Sequence, residues 1–477
     1  MSALGATGQR DQLSAYLVTT DPVDVASGHP SRMVYATRTG RTLLLKERLW
    51  QALCSGQWGE LNGALLVRLR ALEVIVPAGQ DEFAEVMRRN QAGLAEGDRL
   101  AVTIQPTANC QLSCGYCGQV HQKRNVDPTL SRQMTDRIIG NLTRHGYRRL
   151  SVRWYGAEPL MAYSEILSMS ARLPAHCAQD GVAYQARMIT NGMSFKPAVF
   201  LGLQEQGVGH YQITLDGLGE THDVMRITKE GHKSFDIIFG NIVAVTALPQ
   251  YMASTCTITF RVNVNRRSAA TVPRLIDHLA GFGLGARRVS LDFTPVVNWG
   301  GNGAGATGLT RGAFAEAEIE WMLYAIKKGF TFRRVVPARR NGPCTVVEKD
   351  AEVYDVQGNV FPCYEYPYTP AYAGAQYRIG HLDTIAVQRN EAALPKKWMA
   401  DVQTDIAPCR ACNLFPVCGG CCPKQWYNGQ VACPSYKLNI KDRLLLDYLI
   451  NQPGYLQSHL SDADFSPRSI NLEVMHD

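Results

Sequence analysis

Between residues 100 and 295, short apolar runs alternate with longer amphipathic stretches. LAVTIQP, RLSVRWY, YQARMIT, HYQITLD, TCTITFRVNV and RRVSLDFTPV are rich in β-branched and aromatic residues and read as strands. Between them, segments such as TLSRQMTDRIIGNLTRHG and VPRLIDHLAGFG carry apolar residues at helical spacing. Strand–helix alternation predicts parallel βαβ units, and six of them predict an α/β fold built on a partial (β/α)6 barrel. In such a barrel the chemistry collects at the C-terminal ends of the strands.

Residues 1–97 have a different pattern and read as a separate small α+β module, which resembles a winged-helix-like element. SAYLVTT and RMVYATRTGRTLLL are strand-like, with Thr-Gly as a hairpin turn, and LKERLWQALCSG and ELNGALLVRLRALEVIV are helical. NQAGLAEGDR reads as a linker into the barrel, which spans 98–310. NWGGNGAGATG, 298–308, lacks the strand-then-helix setting of a dinucleotide loop and reads as a flexible connector. GAFAEAEIEWMLYAIKKG supplies a helix to a bridging region, 311–343. A cysteine-rich region, 344–438, follows, and then a helix (LNIKDRLLLDYLI) with a polar tail over 439–477.

Composition narrows the class. At 477 residues the chain is too long for one core. Its 45% hydrophobic and 19% charged residues fit a soluble globular protein. The net charge of +7 is spread along the chain, which reads as a solvated surface and not a nucleic-acid face, though it leaves room for an acidic peptide partner. No apolar run reaches membrane-spanning length, and the N-terminus lacks the pattern of a secretory signal, so the expected location is the cytoplasm. There disulfides are not expected, and clustered thiols among the 14 cysteines should bind metal. Cys54, Cys177 and Cys256 stand alone and read as buried small hydrophobes.

The stretch ANCQLSCGYCG, 108–118, follows the first predicted strand and gathers Cys110, Cys114 and Cys117 as C-x3-C-x2-C. An iron–sulfur cubane takes one ligand per iron, so three thiolates leave one iron open to an exogenous ligand. The competing reading is half of a zinc site completed elsewhere.

C-x3-C-x-Y-C after a first barrel strand resembles the radical S-adenosylmethionine (SAM) superfamily. The resemblance implies a [4Fe-4S] cluster on Cys110, Cys114 and Cys117. Its open iron would chelate SAM, and one electron from the cluster would split it into methionine and a 5′-deoxyadenosyl radical that abstracts hydrogen from substrate. It implies SAM contacts from Tyr116, and from Gly156, Ala157 and Glu158 in WYGAEP, where Glu158 would hold the SAM ammonium. Ala157 departs from the family's second glycine, which requires that this position not need a glycine-only conformation. Thr190 and Asn191 in MITNGM, Asp216 in ITLDGLGETHDVMR, and Arg261 in FRVNVN resemble the family's later strand-end motifs. Taken singly, Asp216 is equally an ordinary turn residue.

Cys344-x13-Gly358-x4-Cys363, then Cys409-x2-Cys412-x5-Cys418-x3-Cys422 and Cys433, resemble the SPASM domain, a twin-cluster extension of radical SAM enzymes that modify peptides. The resemblance implies an outer [4Fe-4S] cluster on Cys409, Cys412, Cys418 and Cys433. An inner one would sit on Cys344, Cys363 and Cys422, with either Cys421 or an open iron at its fourth corner. Such clusters suit removal of an electron from a substrate radical.

The resulting expectation is a radical SAM oxidoreductase that matures a ribosomally made precursor peptide, forming an intramolecular thioether or carbon–carbon cross-link. The cofactors would be SAM and three [4Fe-4S] clusters. Its partners would be the precursor peptide, with its leader bound by residues 1–97, and a flavodoxin- or ferredoxin-type electron donor, with no nucleic acid and no membrane. The alternatives are formylglycine formation of the anaerobic sulfatase-maturase kind, and epimerisation with Cys256 as hydrogen donor. Sulfatase maturases carry Asp directly after the cysteine of Gly-x4-Cys; here Tyr364 stands there, with Glu365 next as a substitute. A non-enzymatic multi-cluster carrier or zinc scaffold is the reading from another class.

Overall fold

The computed structural model describes residues 10–24, 29–332 and 334–451. The polar tail read beyond residue 451 lies outside them. The chain divides into two compact units: one comprises the residues up to Glu96, Arg334–Cys344 and the chain from Trp398 onward; the other comprises Gly97–Arg333 and Thr345–Lys397. The first half of the cysteine-rich region therefore packs with the barrel.

The second unit is built on β1 (Arg99–Ile104), β2 (Arg149–Trp154), β3 (Ala183–Thr190), β4 (Val208–Thr214), β5 (Thr257–Val264) and β6 (Val289–Pro295). They pair side by side in chain order, all parallel. The helices between them include α1 (Pro128–His145), α2 (Tyr163–Gln179), α3 (Pro197–Glu205), α4 (Phe235–Thr246) and α5 (Val272–Gly281). α1 starts where the sequence says it should. Asp127 accepts from the Thr129 and Leu130 amides, Pro128 occupies the first turn, and Gly146 closes the helix at φ 64°.

Strand alternation sorts the side chains. On β5, Ile258, Phe260, Val262 and Val264 are fully buried on one face. Burying such side chains is worth roughly 1.5–3 kcal/mol each. The other face carries Thr257, Thr259, Arg261 and Asn263, all half-buried. The same rule places Ser151 and Arg153 of β2, Arg187 of β3 and Gln212 and Thr214 of β4 on the polar face. The strands thus fold an apolar layer against the helices and leave a polar lumen.

Three short strands extend this sheet past β1. β7 (Glu352–Tyr354) runs parallel to β1, and β8 (Asn359–Phe361) and β9 (Gly380–His381) continue it antiparallel. The β7–β8 turn is set by Asp355, whose carboxylate accepts from the Gln357 and Asn359 amides at 2.8 and 2.9 Å. Gly358 sits there at φ 84°, where a Cβ would lie 2.8 Å from the His381 imidazole.

In the other unit, strands Leu17–Thr19, Val23–Asp24 and Arg41–Lys46 all pair antiparallel with Pro30–Ala36, and the Thr-Gly hairpin closes at Gly40, φ 67°. Helices Glu47–Cys54, Gly63–Ala71 and Glu82–Ala95 complete it. Two expectations are corrected. The second predicted helix stops at Ala71, and Ile75–Pro77 forms a strand against Asp11–Leu13, as β-branched residues before a proline favour. The expected linker begins inside a helix, because Asp81 caps Glu82–Ala95 by accepting from the Ala84 amide, and buried Phe83, Val86 and Met87 hold it down. Val18, Met33 and Tyr35 share a core with Leu414, Val417, Ile440 and Leu444. Of the lone cysteines, Cys177 and Cys256 are buried, as expected, but Cys54 is exposed.

Candidate active site

The segment after β1 turns back on itself through a two-stranded ladder. Leu112–Cys114 pairs antiparallel with Arg226–Thr228, so Cys114 sits opposite Arg226. The Gly115 amide donates to the Met225 carbonyl at 3.1 Å, and the Lys229 amide to the Gln111 carbonyl at 2.9 Å. Cys110, Cys114 and Cys117 thereby line one wall of a cavity of about 260 Å³ at the C-terminal end of the strands. Tyr116, Ala157, Thr190, Asn191 and Arg261 line the same cavity.

The thiols are shielded. Burial pushes Cys110 up to about 12, with the Glu158 carboxylate adding to the rise. It pushes Cys114 up to about 11, against the pull of the Arg226 guanidinium, and raises Cys117 as well. The free protein therefore holds protonated thiols, and metal loading must release their protons. Among the described residues, no three His, Cys, Asp or Glu groups converge on a point that could hold a single ion. Three thiols set around a shared space fit a multi-iron cluster that takes one thiolate per iron.

In the cavity wall a hydrogen-bond hub fixes the loop. The Tyr116 hydroxyl donates to Asp216 Oδ2 at 2.5 Å and accepts from Arg226 Nη1 at 2.7 Å and Asn263 Nδ2 at 3.2 Å. Asp216 Oδ1 accepts from the Asn263 amide at 2.8 Å. Its backbone amide donates to His222 Nδ1 at 3.2 Å. Burial, reinforced by Arg226, pushes His222 down to about 2, so the ring stays a neutral acceptor.

Gly156, Glu158 and Asp216 do not reach the cavity lining. Glu158 is fully buried. Its carboxylate accepts from Thr190 Oγ1 and the Asn191 amide, each at 2.6 Å, and from the Leu160 amide at 3.0 Å. It locks the end of β2 to the end of β3. Gly156 is at φ 88°, and a Cβ there would fall on the Gln105 side chain. Ala157 corrects an expectation: it adopts φ 45°, the left-handed region its methyl group disfavours. Its amide donates to Gln119 Oε1 at 3.0 Å.

Tyr364 and Glu365, which the sequence sets directly after Cys363, line the cavity, and so does Thr369. Other residues of the site carried no obvious motif. The Tyr155 hydroxyl donates to Glu365 Oε1 at 3.1 Å, and the Tyr155 and Tyr364 rings meet edge to face. His121 lies 4.0 Å from Cys117 Sγ and is pushed down to about 4 by burial. The glycine-rich stretch is no loose connector. Asn302 Nδ2 donates to the Cys117 carbonyl at 3.0 Å, and a Cβ on Gly118 would lie 2.5 Å from the Gly300 Cα. Trp299 and Gly300 line the cavity. The available signal was their place just past the sixth strand, with adjacent glycines permitting close backbone approach. Cys256 is excluded as a thiol donor. It precedes β5 at the opposite end of the strands, with its Sγ 3.8 Å from the Val208 carbonyl.

In the other unit, Cys409, Cys412, Cys418 and Cys433 line one small cavity of about 20 Å³, walled by Phe415, Trp426 and Tyr436. Cys421 takes φ 59° and hydrogen-bonds to Cys418. Cys344 and Cys422 belong to this unit and Cys363 to the barrel unit. No helix among the described residues is long and apolar enough to cross a membrane.

Residues 104–248 match the model of the Radical SAM superfamily. The chain is 25% identical over 341 residues to the serine-type anaerobic sulfatase-maturating enzyme of Klebsiella aerogenes, covering 66% of this chain and 77% of that protein. It is 20% identical over 184 residues to the sporulation killing factor maturation protein SkfB of Bacillus subtilis, covering 39% of this chain and 40% of that protein. Among solved structures, native anSMEcpe with bound AdoMet superposes with a TM-score of 0.55 at 16% identity, over 75% of this chain and 100% of that one. That likeness is one of fold.

Proposed function

We propose, from the premise that the chain is a radical SAM enzyme, that it matures a ribosomally made precursor peptide by joining two of its residues through a thioether or carbon–carbon cross-link. The observation that carries this reading is the shared cavity. Its three thiols, its polar strand ends and the residues after Cys363 face one space of about 260 Å³. Two relatives named as maturation proteins support a peptide or protein substrate.

Cys110, Cys114 and Cys117 would hold the SAM-binding [4Fe-4S] cluster, which when bound supplies one-electron reductive cleavage of SAM. Thr190, Asn191 and Arg261 line the space where SAM would lie. Tyr116, Asp216 and Arg226 hold the cysteine loop against the strands, and Trp299 and Gly300 cover it from the other side. Glu365, oriented by Tyr155, would accept a proton from a substrate heteroatom as the new bond forms. Cys409, Cys412, Cys418 and Cys433 would hold the outer auxiliary cluster, and Cys344, Cys363 and Cys422 the inner one. Cys421, bonded to Cys418, favours an open corner on the inner cluster. Residues 1–97 would take the leader by strand addition along Arg41–Lys46, which among the described residues pairs on one side only.

Formylglycine formation is the second reading, favoured by Glu365 at the cavity and by the Klebsiella relative. Reconstitution with iron and sulfide without oxygen, followed by dithionite and SAM, should yield 5′-deoxyadenosine; a carrier or zinc scaffold makes none. Co-expression with the short peptide encoded beside this chain should then remove two hydrogen atoms from that peptide. A product that reacts with a hydrazine carries an aldehyde and selects formylglycine; an unreactive product selects the cross-link.

A further inference from the structure

The barrel lumen holds a second, smaller cavity of about 50 Å³, several times the roughly 10–15 Å³ that one water needs. Arg99, Thr103, Ser151, Arg153 and Arg187 line it. The strand register explains why. Arg153 on β2 lies directly between Thr103 on β1 and Arg187 on β3. Two guanidinium side chains are thus set side by side on one face of neighbouring parallel strands.

Two neighbouring carboxylates are committed. Arg99 is paired with Glu348. Glu352, the one acidic residue in the lining, is fully buried and accepts from Arg137 at 2.6 Å, Arg389 at 2.5 Å and the Tyr354 hydroxyl at 2.7 Å. Arg153 is held ready. Its Nη1 donates to Thr103 Oγ1 at 3.2 Å, and its guanidinium lies 4.6 Å from the centre of the Tyr364 ring. No carboxylate contacts it among the described residues. A planar guanidinium fixed by stacking, with donors to spare, is suited to a planar oxyanion. Tyr364 also lines the larger cavity that holds the three thiols. An anion on Arg153 would therefore sit one side-chain layer below that space.

We infer that the pocket around Arg153 is a carboxylate anchor, and that the substrate peptide seats an acidic side chain or its own C-terminus there while a neighbouring residue occupies the thiol-lined cavity. The substrate half of this inference rests on the peptide-maturase reading; the anion site does not.

The test follows the melting temperature of the full chain, purified without oxygen, at constant ionic strength. N-acetylglycine presents a terminal carboxylate, N-acetylaspartic acid amide presents a side-chain one, and N-acetylglycinamide is the neutral control. The carboxylates should raise the melting temperature saturably and the control should not. Arg153→Gln should weaken the apparent affinity at least tenfold. The tighter of the two carboxylates identifies terminus or side chain. No response to either carboxylate, or an unchanged response in Arg153→Gln, overturns the site. Should Arg153→Gln fail to fold, Thr103→Asp decides, since it places a carboxylate beside Arg153. The response should vanish there, and a retained response overturns the site. Peptide modification by a wild-type chain that ignores both carboxylates overturns the anchor alone. Carboxylate binding by a chain that leaves the precursor peptide unchanged overturns the maturase reading alone.

Discussion

The two sets of thiols that each lie within one compact unit are enclosed in different ways. Cys110, Cys114 and Cys117 are three, and they face about 260 Å³ where hydroxyl, amide and guanidinium groups stand among apolar side chains such as Leu112, Ile189 and Trp299. Cys409, Cys412, Cys418 and Cys433 are four, and they face about 20 Å³ walled largely by rings and aliphatic carbon. Metal sites that keep an open position do so for substrate, and saturated ones do not. Ligand count and free volume agree in both cases, and they support the proposal that the first set does chemistry and the second stores or passes on electrons.

The largest test of this contrast removes one set at a time. Changing Cys110, Cys114 and Cys117 to Ala should abolish 5′-deoxyadenosine formation. Changing Cys409 and Cys418 to Ala should lower the iron content yet leave SAM cleavage measurable, while peptide product is lost. Equal loss of SAM cleavage in both variants would erase the distinction.

The polar seat of the first set can be probed next. Tyr116→Phe deletes the hydroxyl shared by Asp216, Arg226 and Asn263 and leaves buried charged groups short of a partner. Urea unfolding should show a loss of about 1–3 kcal/mol, with poorer retention of iron at Cys110, Cys114 and Cys117. An unchanged midpoint would mean that the hub does not hold the loop.

A smaller effect depends on pH. His222 is held down to about 2 when folded but titrates near its ordinary value when unfolded. The unfolded chain therefore takes up a proton as the pH falls below the ordinary histidine range, and the folded chain does not. The contribution is full above that range and shrinks as the solution is acidified, by about 1.4 kcal/mol per pH unit. Between neutral pH and pH ~5, the wild type should lose about 2 kcal/mol more than His222→Gln. Parallel losses in the two proteins would refute this.

The smallest effect belongs to Ala157. Its φ of 45° costs an L-residue about 1 kcal/mol, so Ala157→Gly should stabilise the chain by up to that amount. A destabilised Ala157→Gly chain would show that the methyl group earns more in packing than it costs in strain.

Strand positions and strand-end chemistry were legible because alternation and β-branching are local. β5 shows this: its apolar residues mark the buried face, and Arg261 and Asn263 follow on the other. The cysteine spacings were legible for the same reason. What stayed hidden depends on contacts distant in sequence or on backbone torsions. β7 and β8 are three residues each, too short to show a period, and they exist because β1 offers an edge. Glycine and charge in 90–99 suggested a linker, but Asp81 and the buried apolar face before it had already started a helix. Ala157 defeated its expectation because nothing in a residue's letter reveals a positive φ. Cys256 could be ruled out only once the direction of β5 was known.

The meeting of Gly118 with Gly300 sets a limit on how this enzyme can change. A Cβ on either residue would fall against the other's Cα, so no compensating partner of smaller size remains to be chosen. Libraries that randomise either segment should return glycine at both places, and engineering of the cavity is better started from walls other than this one.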